Sequence, residues 1–312
     1  MFQKTSDKNG ISAERLGAAT VFNKTALSWI AGSTLALSLS VGVVNAEDAD
    51  AQRVLSIGGA VTEIIYALGE EGRLIGRDST SMFPQEANTL PNVGYMRALS
   101  PEGVLSVEPD LILARANSGP PEAIEVLQSA DVRWVSVPDE FTPAGIDENI
   151  RIVADALGVP EKGDELRARL DKDLTAVQQL TSDVDEPKSV LFILSMRDDR
   201  ILASGYGTAA DGIINLAGAN NVITSYEGYK ELSDEAVITA NPDVILMMQG
   251  RGAASDHSAA DERILGHPAL GVTNAAQQGA IIKMDGLYLL GFGPRTGQAA
   301  EDLARAIYGD QL

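Results

Sequence analysis

Leu99-Ser100-Pro101-Glu102-Gly103-Val104-Leu105-Ser106-Val107-Glu108-Pro109-Asp110-Leu111-Ile112-Leu113 returns, 133 positions later, as Leu232-Ser233-Asp234-Glu235-Ala236-Val237-Ile238-Thr239-Ala240-Asn241-Pro242-Asp243-Val244-Ile245-Leu246. Eight of the 15 positions are identical, and Gly94-Tyr95 just upstream matches Gly228-Tyr229 with a one-residue gap. Each copy reads as a Ser-capped helix, a Pro-Asp turn and a buried strand. The shared Tyr and Glu favour internal duplication over a helix–turn–strand phrase met twice by chance. The chain is therefore expected to hold two related lobes.

Working outward, apolar runs alternate with helical patterns. Val54–Ile57, Arg73–Gly76, Leu111–Ala114 and Trp134–Val137 read as strands. Thr62–Leu68, ending at Gly69, and Pro121–Ser129 read as helices. This is the alternation of a parallel α/β sheet. Asp147 to Thr181 is different, being helical throughout except for a break at Gly158-Val159-Pro160. Its second part places Leu166, Leu170, Leu174 and Val177 at helical spacing from Asp164 to Leu180, a rod of roughly 25 Å. Strands resume at Val190–Leu194, and Leu287–Leu290 is strand-like. The expected architecture is an α/β fold of two similar lobes with parallel-type sheets, joined by one long rigid helix, with a ligand cleft between them. The boundaries read as 47–146 for the first lobe, 147–186 for the linking helical segment and 187–312 for the second lobe.

The 312 residues include 24 Lys plus Arg against 44 Asp plus Glu, a formal charge of −20. Such a surface repels phosphate backbones, so nucleic acid is excluded as a partner. There is no cysteine and there are only two histidines, His257 and His267. Disulfides, thiolate metal sites, thiol nucleophiles and multi-His metal centres are therefore excluded. A GxSxG elbow is also missing, and neither histidine has an evident Ser partner, so the chain is read as a non-enzyme.

Residues 1–25 carry Lys4, Lys8, Arg15 and Lys24 against Asp7 and Glu14. An uncharged stretch, Ala26 to Val44, ends in Val44-Asn45-Ala46. This is the pattern of a secretory signal peptide spanning 1–46. A single membrane anchor is the competing reading, and the small residues before the junction argue against it. Glu47, not cysteine, stands at the expected first mature position, so a free periplasmic protein rather than a lipoprotein is expected.

The chain resembles the periplasmic haem-binding proteins of bacterial ABC importers, within the larger group that binds cobalamin and ferric siderophores. The most specific stretch is Val93-Gly94-Tyr95-Met96-Arg97-Ala98-Leu99-Ser100-Pro101-Glu102-Gly103. Ile57–Ile64, Gly207–Asp211, Gly228–Ser233 and Gly291–Thr296 support it. The resemblance implies a receptor that captures haem b (hemin) as transported ligand and delivers it to an inner-membrane ABC permease dimer with its ATPase. It is expected to act as a monomer. A cobalamin or ferric-siderophore receptor is the alternative.

By the same resemblance, Tyr95 is the axial ligand of the haem iron and Arg97 its electrostatic partner. Phenolate suits Fe(III), and a free phenol ionises only near ~10, so the iron and a nearby cation must help it. The strand end where some relatives place a second, histidine ligand reads Leu194-Ser195-Met196-Arg197 here. Met196 is a soft donor better suited to Fe(II), so it is assigned to the pocket wall. Tyr229, the repeat partner of Tyr95, stands as a second-lobe contact that stacks on the ring, binds a second haem or simply packs. Arg295 is assigned to a haem propionate, and the Gly58-Gly59 turn, with Gly59 in the pocket, to an anionic group. Glu102 and Glu235, near two helix starts, are favoured there by the helix dipole. The resemblance also makes them the two permease-docking carboxylates. His257 in its polar loop is a remote ligand candidate, and His267 before Pro268 a structural residue.

Overall fold

The computed structural model describes residues 51–249 and 257–312. The expected leader, 1–46, lies outside the described residues, as does most of the polar loop before His257. Among the described residues no helix is long and apolar enough to cross a membrane.

The first half alternates as the apolar runs demand. Strand β1 (Val54–Ile57) leads through helix α1 (Gly59–Ala67) to β2 (Leu74–Arg77). Short helix α2 (Pro101–Leu105) precedes β3 (Leu111–Arg115), and α3 (Pro121–Gln128) precedes β4 (Arg133–Val137). Two long helices follow, α4 (Pro143–Ala156) and α5 (Pro160–Leu180). They meet at the Gly158-Val159-Pro160 break, and Pro160 takes the first helical position, where its missing N–H costs nothing. The four strands form one parallel sheet ordered β2-β1-β3-β4.

The second half opens with β5 (Ser189–Arg197) and β6 (Arg200–Ser204), followed by α6 (Ala209–Leu216), β7 (Asn220–Asn221) and β8 (Tyr229–Leu232). Then come α7 (Asp234–Ala240), β9 (Val244–Gln249), α8 (His257–Gly266), α9 (Asn274–Gln278), β10 (Ile281–Asp285), α10 (Gly286–Leu290) and α11 (Thr296–Tyr308). The sheet order is β10-β9-β5-β6-β8. Its β10, β9 and β5 run parallel, but β5–β6 and β6–β8 are antiparallel. The sheets are thus parallel-dominated, in line with the parallel-type expectation, with one antiparallel edge in the second half. Asp198 and Asp199 both take positive φ, 48° and 57°, as the two central residues of a tight type I′-like turn. That turn folds β6 straight back on β5. One correction concerns Leu287–Leu290, which is not a strand but the body of α10. Asp285 caps it by accepting from the Leu287 and Tyr288 amides.

The duplicated phrase folds the same way twice. Ser100 and Ser233 each cap a helix, accepting from the amides of Gly103 and Ala236. Glu108 and Asn241, equivalent in the repeat, both adopt positive φ before proline. Asp110 accepts from the Arg53 amide at 3.1 Å and donates its own amide to the Arg53 carbonyl. Asp243 exchanges the same pair of bonds with Ser189 at 2.9 Å. In each lobe one aspartate therefore ties the start of the strand it precedes to the start of the neighbouring one.

Helix α5 contacts α4 and also α6 and α11 of the second half. Its Leu166, Leu170 and Val177 are buried in a core that includes Val54, Ile64 and Leu113 together with Val190, Phe192 and Leu303. Leu174 packs on its edge. Contact with α11 is so close that a Cβ on Gly297 would come within 2.6 Å of the Asp173 Cβ. Two satellite cores lie on the far faces of the sheets.

Burial works to raise the Asp243 carboxyl, but hydrogen bonds from the Ser189 amide and hydroxyl outweigh it and hold the group below its ordinary value of 3.8. A depressed folded value means stability that is present above pH 3.8 and lost as pH falls through it. Asp243→Ala should cost about 1–3 kcal/mol at neutral pH. In urea titrations the gap to wild type should narrow towards pH 3. Asp110→Ala should cost a similar amount at pH 7.

Candidate functional site

Tyr95 sits on a turn fixed at both ends. The Val93 amide donates to the Arg77 carbonyl, and Gly94 takes φ 107°, which brings its amide onto the Asn92 side chain. The Ala98 amide closes the turn on the Tyr95 carbonyl at 2.8 Å. Met96 is buried while Tyr95, 45% exposed, and Arg97 flank it on the open side. Burial of the middle residue thus leaves Tyr95 and Arg97 exposed on the same turn. A second turn, 115–119, is stitched to this one, since the Gly119 amide donates to Met96 and the Leu99 amide to Gly119.

The floor beneath is the carboxyl end of the first sheet. β1 and β3 are neighbours whose chains depart to opposite sides, the topological switch point where α/β sheets open a crevice. The Gly58-Gly59 turn lies there. Buried Asp78 holds it, accepting from the Gly58 amide at 2.9 Å and from the Ser81 hydroxyl at 2.6 Å. Thr62 and Ser56 extend this buried chain of hydroxyls. A Cβ on Gly59 would lie 3.1 Å from the Thr80 carbonyl, so the loop passes close over the turn.

From the second lobe comes Tyr229, half-buried at the start of β8, with its ring edge-to-face on Phe192 at 6.4 Å. Burial raises its phenol. Hydrogen bonds from the Thr208 hydroxyl and the Ala210 amide at the start of α6, and the positive charge of Arg97, pull the other way. Arg97 of the first lobe and Tyr229 of the second therefore act on each other. Beside them a cavity of about 450 Å³ opens between the Asp139–Pro143 segment and the start of α6. Asp139, Phe141, Thr142, Thr208 and Asp211 are among its walls.

The other residues singled out in the sequence fall elsewhere. Arg295 grips Glu63 of α1 with two bonds, at 2.8 and 2.7 Å, and stacks 3.5 Å from the centre of the Phe83 ring. That fork is used by the protein itself, across the two lobes, rather than offered to a propionate. Met196 packs against the satellite core of the second sheet. Glu102 and Glu235 are exposed, each as the second residue of its helix, α2 and α7. The Glu235 carboxyl is held below its usual range by its own amide and the Ser233 hydroxyl. His267 is buried; its Nε2 faces the Asp199 carbonyl at 3.0 Å and its Nδ1 accepts from the Ala269 amide. It is a structural clasp. His257 is the first residue of α8. Among the described residues no cluster of three or more His, Cys, Asp or Glu is placed to hold a metal ion.

Sequence reading missed Glu63, Asp78, Arg115 and Asp139. Glu63 and Arg115 had a signal, each being a lone charge on an otherwise apolar element. Asp78 and Asp139 lie in loops without one.

A family model described as periplasmic binding protein matches residues 54–287. The fold is similar to the periplasmic heme-binding protein RhuT from Roseiflexus sp. RS-1 in its apo form. The TM-score is 0.77 at 36% identity, covering 84% of this chain and 99% of that one. An uncharacterized ABC transporter substrate-binding lipoprotein of Bacillus subtilis, YvrC, is 29% identical over 83% of this chain and 81% of its own length. The vitamin B12-binding protein of Vibrio parahaemolyticus is 27% identical over 66% and 73%.

Burial pushes the Glu63 carboxyl above its ordinary 4.5, and Arg295 pulls it part of the way back. With Arg295→Met nothing compensates that buried charge. The loss should be about 3–5 kcal/mol at pH 7. A raised acid favours the folded state once protonated, so the loss should shrink as pH falls to 4.5 and below. Urea melts at pH 7 and pH 4 test this, and an equal loss at both would instead assign the cost to stacking on Phe83.

Proposed function

The chain belongs to the periplasmic binding protein family, and within it we propose a receptor that captures haem and delivers it to an ABC permease. Family membership alone makes it an extracytoplasmic solute-binding component of an ABC transporter, with no catalytic role indicated. The observation that carries the haem reading is Tyr95. Its exposed phenol stands on the turn that also exposes Arg97 and that Met96 anchors, and the charge of Arg97 reaches Tyr229 of the opposite lobe.

Ferric haem brings a hard cation that binds phenolate and a broad apolar disc. Tyr95 supplies the oxygen, and Arg97 steadies its negative charge. Tyr229, whose phenol burial keeps protonated, offers an aromatic contact from the second lobe. The heme-binding relative, at 36% identity over nearly its whole length, supports this reading. The B12-binding relative favours a second one, cobalamin held in the same cleft. Tyr95 discriminates the two readings, because cobalamin arrives with its cobalt already held by the corrin ring.

Glu102 and Glu235 stand at equivalent places on two capped helices, one per lobe, and are proposed to meet basic residues of the two permease subunits. The receptor is proposed to act as a monomer with residues 1–46 removed. A free form, unlike the lipoprotein from Bacillus subtilis, rests on Glu47 following the Val-Asn-Ala junction.

Titrating the chain from residue 47 onward with hemin should give saturable binding with a ferric tyrosinate-type visible spectrum. Tyr95→Phe should abolish or shift that spectrum and weaken binding at least about 10-fold, the value of one strong polar contact. Cyanocobalamin binding in place of hemin would select the second reading. Glu102→Ala and Glu235→Ala should leave hemin affinity unchanged and reduce haem uptake by cells that depend on this receptor. Unimpaired uptake would remove their docking role.

A further inference from the structure

Arg115 closes β3, a strand buried along its whole length. Its side chain is only 7% exposed. Nε and Nη2 bind Asp139, which also accepts from the Asn117 amide at 2.9 Å. The remaining terminal nitrogen, Nη1, is buried and has no hydrogen-bond partner. The Ser118 hydroxyl, three residues on in the same turn, is likewise buried and unpartnered.

Proteins rarely leave such groups alone. A buried donor without an acceptor costs about 1–3 kcal/mol, and more on a charged group. Two of them on one turn, at the crevice end of the sheet, mark a place where an acceptor belongs. The stem of Arg115 lies so tightly over Gly58 that any Cβ there would strike its Cγ. The guanidinium is therefore held by the backbone on one side and by Asp139 on the other. Asp139 also lines the cavity between the lobes. The turn bearing Arg115 and Ser118 is the one hydrogen-bonded to the Tyr95 turn through Met96, Gly119 and Leu99.

We propose that Arg115 Nη1 and the Ser118 hydroxyl receive a carboxylate of the ligand, and that Asp139 is the positioning residue that aims the guanidinium. The proposal rests on the haem reading, in which that carboxylate is a propionate. A guanidinium has five N–H donors around a planar fork, so one edge can serve Asp139 while the free nitrogen serves the ligand. Arg115 thereby takes the part that sequence reading gave to Arg295, whose fork is occupied by Glu63. A neutral acceptor, such as an ester carbonyl, would gain much less from the same donors.

Hemin and hemin dimethyl ester, which differ only at the propionates, test this on the full mature chain. Wild type should bind hemin roughly 10- to 100-fold more tightly than the ester, the value of charge-assisted hydrogen bonds. Arg115→Met combined with Asp139→Asn removes both charges together, so no buried carboxylate is stranded. It should bring hemin affinity down to that of the ester and leave ester affinity within about threefold, the ordinary scatter of contact energies. Ser118→Ala should narrow the preference in the same direction. Equal affinity of wild type for both ligands, measured without any variant, would overturn the proposal. So would an equal loss on both ligands in the double variant. In either case haem binding itself would stand. No saturable hemin binding by wild type would overturn the haem reading, and the propionate assignment with it.

Discussion

One stripe of one helix is buried by helices of both halves at once. Leu166, Leu170 and Val177 of α5 face residues from both halves of the chain, so the two lobes share a core rather than meeting across a hinge. A shared apolar core is close-packed and resists sliding. The buried Glu63–Arg295 pair adds a second constraint, because separating it would strand a carboxylate in a medium of low dielectric. Close packing of Gly297 on Asp173 adds a third. Together these constraints fix the distance between the two sheet ends that form the site. A cleft of fixed width suits a rigid, flat ligand better than a flexible one.

The chemistry of the site follows from that frame. The first lobe contributes two turns knitted together by backbone hydrogen bonds, one presenting Tyr95 and Arg97 and the other Arg115 and Ser118. The second lobe contributes Tyr229 and the start of α6. The arrangement sets the Tyr95 phenol on one turn and the Arg115 and Ser118 donors on the other, the groups that the proposed haem reading gives to iron and propionate. The site gathers Arg97 and Arg115 while the whole chain carries −20.

The internal duplication explains why the lobes match in some features and differ in others. The helix–turn–strand phrase keeps its caps, its positive-φ residue before proline and its aspartate clasp in both copies, because each solves a local problem of backbone hydrogen bonding. The sheets diverge where local sequence differs. The Asp198-Asp199 turn makes an antiparallel hairpin in the second lobe that has no counterpart in the first. The exposed Glu102 and Glu235 occupy the same helical position because they sit on the part of the phrase that both copies keep.

The strands and helices of the first half, the duplicated phrase, the two-lobed plan and the stripe of α5 were legible in the chain itself. They arise from periodicity, capping residues and a repeated phrase, which act over a few residues and leave their mark in order along the sequence. Leu287–Leu290 was misread because four apolar residues fit a strand or a helix equally, and only the Asp285 cap decided between them. What the tertiary structure alone decided is which charges meet. Glu63 and Arg295 lie 232 positions apart, and Arg115 meets Asp139 only where two strands end side by side. Such pairings depend on the desolvation of each group and on the relative placement of distant elements. No local pattern carries that information.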